Sequence, residues 1–197
     1  MDPVTRGRLK LILVLTLFLG PLLAAFLWYY SFGAALTPKG KTNYANLISP
    51  VVTLSDFNDH LTDSSAFKLD GLKRKWTIVH IVREACDEQC ELSLYNTRQT
   101  RIAVGKDANR LQRVLILSTS VPAEPIMEQH ADLKVIHMED SGLGAQLAAI
   151  SADIKSGSND ALMIDPLGNV MMEIPVDLNP SLLLKDLKKL LKLSRVG

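Results

Sequence analysis

The chain lacks the motifs that announce most enzymes. It holds no phosphate-binding Walker loop, no Gly-rich dinucleotide fingerprint, no Cys/His spacing of a zinc site and no nucleophile elbow. It has no internal repeat and no low-complexity tract. Charge of one sign is also missing. The 22 Lys and Arg balance 21 Asp and Glu, leaving a net charge of +1, so no nucleic-acid surface is expected. Aromatic residues make up only 6% of the chain, and cysteine occurs twice, at Cys86 and Cys90. With so few cysteines, any thiol chemistry rests on that one pair.

What the chain does have is apolar residues, 47% of the total, enough for a core. Many lie in one run from Leu11 to Tyr30, which carries no charge. About 20 apolar residues cross a bilayer as a helix. Arg6, Arg8 and Lys10 precede the run, and Trp28, Tyr29 and Tyr30 close it where a membrane interface would lie. Gly20-Pro21 is a kink that a transmembrane helix tolerates. A cleaved signal peptide has a shorter apolar core and a small-residue cleavage site. Here the run is longer, bulky aromatics follow it, and Ala34-Ala35 is a weak cleavage site. The expected organisation is a cytoplasmic N-terminus (1–10), a transmembrane anchor (11–30), a linker (31–46) and a globular domain (47–197). The basic flank keeps the N-terminus in the cytoplasm. In a bacterium this gives a single-pass inner-membrane protein whose domain is periplasmic, where disulfides persist.

The domain is organised around the segment that carries the two cysteines. Trp76 to Val82 is a short β-branched run, the pattern of a buried strand. From Cys86 to Val104 there is neither Pro nor Gly, so a helix is expected. Positions i and i+4 share a helix face, so both sulfurs are expected to point the same way. Such a pair closes into a disulfide, works as a dithiol, or offers two soft ligands to one metal ion; packing as small core residues is the alternative. Glu84, Asp87, Glu88 and Glu91 surround the pair and oppose thiolate formation, with Arg83 offsetting part of that.

Further strands are expected at Val51–Leu54, Phe67–Gly71, Arg113–Thr119 and Leu133–Met138, with a polar, turn-rich stretch at Asp56–Ser65. Gly142–Ile150 reads as a helix. Ala161–Asp165 and Val170–Ile174 flank Pro166-Leu-Gly-Asn169 as a hairpin, and Pro180 opens a last helix with a leucine stripe. Alternating strands and helices make a parallel-containing sheet covered on both faces. The fold class is α/β, a thioredoxin-like fold preceded by one N-terminal transmembrane helix.

The dithiol after a buried strand, the anchor, Phe67 to Lys75, and the Leu162 to Gly168 hairpin before a final helix together resemble the SCO/SenC family. The resemblance spans roughly Val51 to Leu193. It implies a membrane-tethered protein that assists cytochrome c oxidase assembly, as a copper chaperone, a thiol reductant or both. Its partners would be an oxidase subunit or another copper chaperone. It further implies that Cys86 and Cys90 are the redox or Cu(I)-binding pair. Two family features are missing here. Glu91 stands where a Pro usually follows the second cysteine, and Ser156 to Asp160 holds no counterpart of the third copper ligand, a His. Nor does a Pro precede Leu162, where thioredoxins place a cis-Pro facing the dithiol. These departures fit a divergent member, or one with a dedicated partner. A wider set of thiol clients and a binding module with a structural disulfide are the alternative functions. Among the other histidines, His137, near a strand end, is the candidate third ligand. His80 sits on the strand before the pair, and His60 and His130 fall in stretches expected to be exposed.

Overall fold

The computed structural model describes residues 3–36, 43–139, 141–154 and 159–194. Part of the expected linker (37–42) and Ser156–Ser158 of the segment lacking a His lie outside the described residues. The chain divides into two compact units, Met1–Thr42 and Asn43–Gly197. The described residues of the first form one helix, α1 (Pro3–Leu36), which runs through Pro21. Within it, Pro3–Ser31 is long and apolar enough to cross a membrane.

The second unit contains β1 (Asn46–Thr53), β2 (Asn58–His60), β3 (Ala66–Lys68), α2 (Leu69–Leu72), β4 (Trp76–Val82), α3 (Glu88–Ala103), β5 (Leu111–Leu117), α4 (Glu124–Gln129), β6 (Leu133–His137), α5 (Gly142–Asp153), β7 (Ala161–Ile164), β8 (Asn169–Ile174) and α6 (Pro180–Leu193). The main sheet has the order β1-β8-β7-β4-β5-β6. β4, β5 and β6 run parallel, while β7, β8 and β1 each pair antiparallel to their neighbours. This is a thioredoxin-like α/β fold with an apolar helix ahead of it.

Both sheet faces are covered, and the side-chain alternation of the central strands assigns them. Val79, Val114, Ile116 and Leu162 pack with Leu143, Leu147 and Ile150 of α5. The other face is covered in two patches. Ile78, Leu111 and Met163 meet Leu183, Leu187 and Leu191 of α6. Val82, Leu115 and Leu117 meet Cys90 and Leu94 of α3. Because both faces are buried, β5 reads as a continuous run of buried residues.

Four elements differ from the sequence reading. β1 begins five residues earlier than Val51, held by Asp186, whose buried carboxylate accepts the N–H groups of Tyr44 and Ala45. The polar 56–65 stretch contains β2, because Asp59 is needed inside. Its carboxylate accepts from Ser141 Oγ and from the N–H groups of Gly142 and Leu143, satisfying the N-terminus of α5. The expected strand at 67–71 stops after three residues and turns into α2. Pro122 and Pro125 do not only end β5. Pro125 lies in the first turn of α4, where its missing N–H costs nothing. The hairpin is as expected. Asp165 Oδ1 accepts from the N–H groups of Leu167 and Asn169, and Gly168 takes φ +93°, which suits glycine.

One face of α3 is polar where it meets the sheet. Its buried residues are Cys90, Ser93, Leu94, Thr97 and Thr100. Under them, from β4 and β5, stand His80 and Arg113, both buried. His80 Nε2 lies 3.0 Å from Thr97 Oγ1, and Nδ1 lies 3.5 Å from Ser93 Oγ. Thr97 Oγ1 donates to the Ser93 carbonyl, so its lone pair accepts from Nε2–H; the tautomer is assigned from this network. Arg113 donates to the Leu94 carbonyl at 2.7 Å and to Asp132 at 3.0 Å. Burial, then the Arg113 charge, pushes His80 well below its ordinary 6.5 and keeps it neutral.

Two outcomes follow from this packing. Leu147→Ala, at a site with no exposed surface, is expected to cost about 2–5 kcal/mol in a urea unfolding curve. A second concerns pH. Below 6.5 the unfolded chain protonates His80 while the folded chain does not, so stability falls as pH drops below that value. The slope from this one group is at most about 1.4 kcal/mol per pH unit. Glu139, held at about 2 chiefly by the Thr119 N–H, weakens the fold only in the range below 4.5. The urea midpoint should therefore decline between about pH 6.5 and 5 in the wild type and decline less steeply in His80→Asn, where His130, also pushed below its ordinary value, keeps part of the slope.

Candidate functional site

The pair sits at the C-terminal end of β4, where the chain leaves the sheet and enters α3. The expectation of a shared helix face is corrected here. Only Cys90 belongs to α3; Cys86 precedes the helix, separated from it by the N-cap residue Asp87. The N-cap is what breaks the helix at that point. Asp87 has extended backbone, and its carboxylate accepts the Cys90 N–H at 2.9 Å. This folds the loop back and leaves the two Cα atoms 5.1 Å apart, within the usual range for a disulfide. Cys86 and Cys90 are bonded to each other.

The two sulfurs have different surroundings. Cys90 is 3% exposed and packs among Val82, Leu94, Leu115 and Leu117. Cys86 is half-buried, packed against the edge of the same cluster. An incoming thiolate therefore meets Cys86 first, and Cys90 is the leaving group. Cys90 also lies in the first turn of α3, where the helix dipole favours a negative sulfur and the capping carboxylate of Asp87 opposes it. The carboxylate of Asp87 is turned to the helix N–H rather than left free beside the sulfurs. Glu84, Glu88 and Glu91 are exposed, as is Arg83.

A cleft beside the pair is lined by Val82, Arg83, Glu84, Ala85, Asp87 and Asn159. Asn159 comes from the segment before β7, and its Nδ2 donates to Asp87 Oδ1 at 3.3 Å. An amide side chain thus faces the dithiol loop from the side where a cis-Pro was sought in the sequence. Its position two residues ahead of Ala161 was the available signal; its contact with Asp87 was not.

The histidines are dispersed. Val82, Leu117 and His137 stand in register across β4, β5 and β6, so His137 is two strand spacings, about 10 Å, from the end of β4. It lines a separate cleft with Thr62, Asp63, Thr119 and Met127. Its Nδ1 is buried with no partner among the described residues. His80 faces Ser93 and Thr97 under α3. His60 is exposed. His130, expected at the surface, is instead buried, because α4 and its cap press that stretch against α3. Among the described residues no group of three or more His, Cys, Asp or Glu forms a metal cluster. Sequence reasoning missed Arg113 and His130 as buried groups. A cation within an apolar strand at Arg113 was the one hint.

Comparison with known proteins agrees with this architecture. A family model described as transmembrane-like, thioredoxin-like, C-terminal domain matches residues 76–194, and a transmembrane-like N-terminal model matches residues 2–31. No curated protein matches the sequence. Among solved structures, yeast Sco1 with copper bound is 13% identical, with a TM-score of 0.59 over 75% of this chain and 96% of that one. BsSco, a member of the Sco family of cytochrome c oxidase assembly proteins described with a disulfide switch, is 9% identical, with a TM-score of 0.55 over 76% and 99%. A thiol:disulfide interchange protein from a Bacteroides species is 11% identical, with a TM-score of 0.53 over 75% and 93%. At such identities the likeness is one of fold. The matched residues span more than half of the chain, so it belongs to the transmembrane-like, thioredoxin-like C-terminal domain family, with a Sco-like fold and a disulfide at the helix entrance.

Proposed function

We propose that this protein is a membrane-anchored assembly factor that exchanges a disulfide with cysteines of a client through Cys86 and Cys90. The client we favour is a copper-site subunit of a respiratory oxidase. The observation that carries the reading is the asymmetry of the pair, one sulfur half-buried and reachable, the other buried in the first turn of α3. A disulfide built only to hold a loop needs no reachable sulfur. The Sco-like fold and the apolar N-terminal helix support the anchored, oxidase-directed form of this reading. In it, residues 1–10 stay in the cytoplasm of a bacterium, α1 spans the inner membrane and the 47–197 domain works in the periplasm.

In the exchange, a client thiolate attacks Cys86 Sγ. The Cys86–Cys90 bond breaks and a client–Cys86 disulfide forms. Cys90 leaves as a thiolate and takes up a proton. A second client thiolate then attacks its own sulfur in the mixed disulfide and releases Cys86. Two electrons pass from client dithiol to protein dithiol; the reverse sequence reduces a client disulfide.

Cu(I) cargo is a second reading, favoured by the loop that brings both sulfurs together once reduced. His137, the third donor considered from the sequence, lies about 10 Å away on a separate cleft, so in this reading the two sulfurs hold the ion without it. Anaerobic Cu(I) titration of the reduced full chain against a chelator tests it. One-to-one binding lost in Cys86→Ser/Cys90→Ser supports cargo; no binding leaves thiol exchange alone.

In cells lacking the wild-type gene, the Cys86→Ser/Cys90→Ser chain is expected to restore no oxidase activity above the empty vector. Restoration by a stably expressed double variant would remove the pair from the function.

A further inference from the structure

Resting on the thiol-exchange reading, a second feature beside the pair concerns what its client looks like. The outer side of α3 and the end of α4 enclose a groove lined by Glu88, Glu91, Leu92, Tyr95, Arg98 and His130, with Gln129 at its edge. It begins within the first turn of α3, the turn that holds Cys90. Tyr95 lies five residues beyond Cys90, about 7.5 Å along the helix axis.

The lining is unusual for a bare helix surface. Leu92 is 48% exposed and Tyr95 is 53% exposed, side by side on a helix whose inner face already has its core contacts. Glu88 and Glu91 are exposed at the end nearest the disulfide, and among the described residues neither is in an ion pair. Arg98 stands seven residues beyond Glu91, at the far end, about 10 Å away. His130 is 94% buried by its 6% exposure, and its Nδ1 has no hydrogen-bond partner among the described residues. Burial, then the Arg113 and Arg98 charges, pushes this imidazole below its ordinary 6.5. His130 lines the groove, with that nitrogen buried beneath the groove's surface.

We propose that this groove receives a basic peptide segment of the client, flanking the cysteine that exchanges with Cys86. A lysine or arginine of that segment places its charged end against Glu88 and Glu91, its stem over Leu92 and its cation near the face of Tyr95. Two to four residues of extended chain span about 7–14 Å, enough to join the groove to the reachable sulfur. The like charge of Arg98 turns the cation toward the disulfide end of the groove. Client choice thus comes from the flank of α3, while the sulfur chemistry stays at its entrance.

The test uses the full chain in detergent with its disulfide formed. Two eight-residue peptides, each with one cysteine, differ only in having lysine or norleucine three residues from it. In each reaction two peptide thiols become one peptide disulfide as Cys86–Cys90 becomes a dithiol. Acid quenching, alkylation and mass analysis give the rate. The lysine peptide is expected to react about tenfold faster at low salt, the advantage shrinking at high salt. That ratio should fall toward one in Glu88→Gln/Glu91→Gln and persist in Asp153→Asn, on α5 across the sheet. Equal rates for the two peptides in the wild type, while dithiothreitol still reduces the disulfide, would overturn the groove and leave thiol exchange standing. Failure of dithiothreitol and both peptides to reduce it would overturn both.

Discussion

The site depends on where the first turn of α3 is pinned. Asp87 fixes it from outside by capping the helix, and the polar seam of His80, Ser93, Thr97 and Arg113 fixes it from beneath. A leucine face would have held α3 to the sheet with less directional control. Hydrogen bonds to His80 and Arg113 set its rotation and height as well. With α3 so placed, Cys90 is driven into the core and Cys86 is left at the rim. The unequal exposure of the two sulfurs, on which the chemistry rests, follows from that seam. Arg113 extends it to Asp132 and hence to the start of β6.

Much of the fold was legible in the sequence because it rests on runs and punctuation. Trp76–Val82 was readable as β4 to the residue, since a strand buried on both faces is an uninterrupted β-branched run. The hairpin announced itself through Pro166, Gly168 and Asn169, and α6 through its leucine stripe. What could not be read were the parts made by long-range polar contacts. Asp59 looks like a turn residue until α5 brings its N-terminus to it, 82 positions later in the chain. Asp186 extends β1 in the same way from the far end of the domain. His130 looked exposed because its neighbours are polar; its burial depends on α4 folding against α3.

At the site, the pair and its spacing were legible, and the resemblance they carried led to the right fold. The helix start was not. The reading that put Cys86 and Cys90 on one helix face followed from spacing alone, whereas Asp87, between them, acts as the N-cap. That shift of two residues matters chemically. A cysteine inside the first turn and one before the cap meet different fields and different solvent. The acidic neighbours also divide into two kinds. Asp87 is engaged with the helix, while Glu88 and Glu91 face the groove along α3.

The central claim is that this disulfide is a working bond. The measurement that tests it most directly is the reduction potential of Cys86–Cys90 in the full chain, obtained by equilibration in graded thiol buffers with alkylation of the free thiols. The account predicts a value in the range of catalytic pairs, between about −120 and −270 mV. A value below about −300 mV would mark the bond as structural and contradict it.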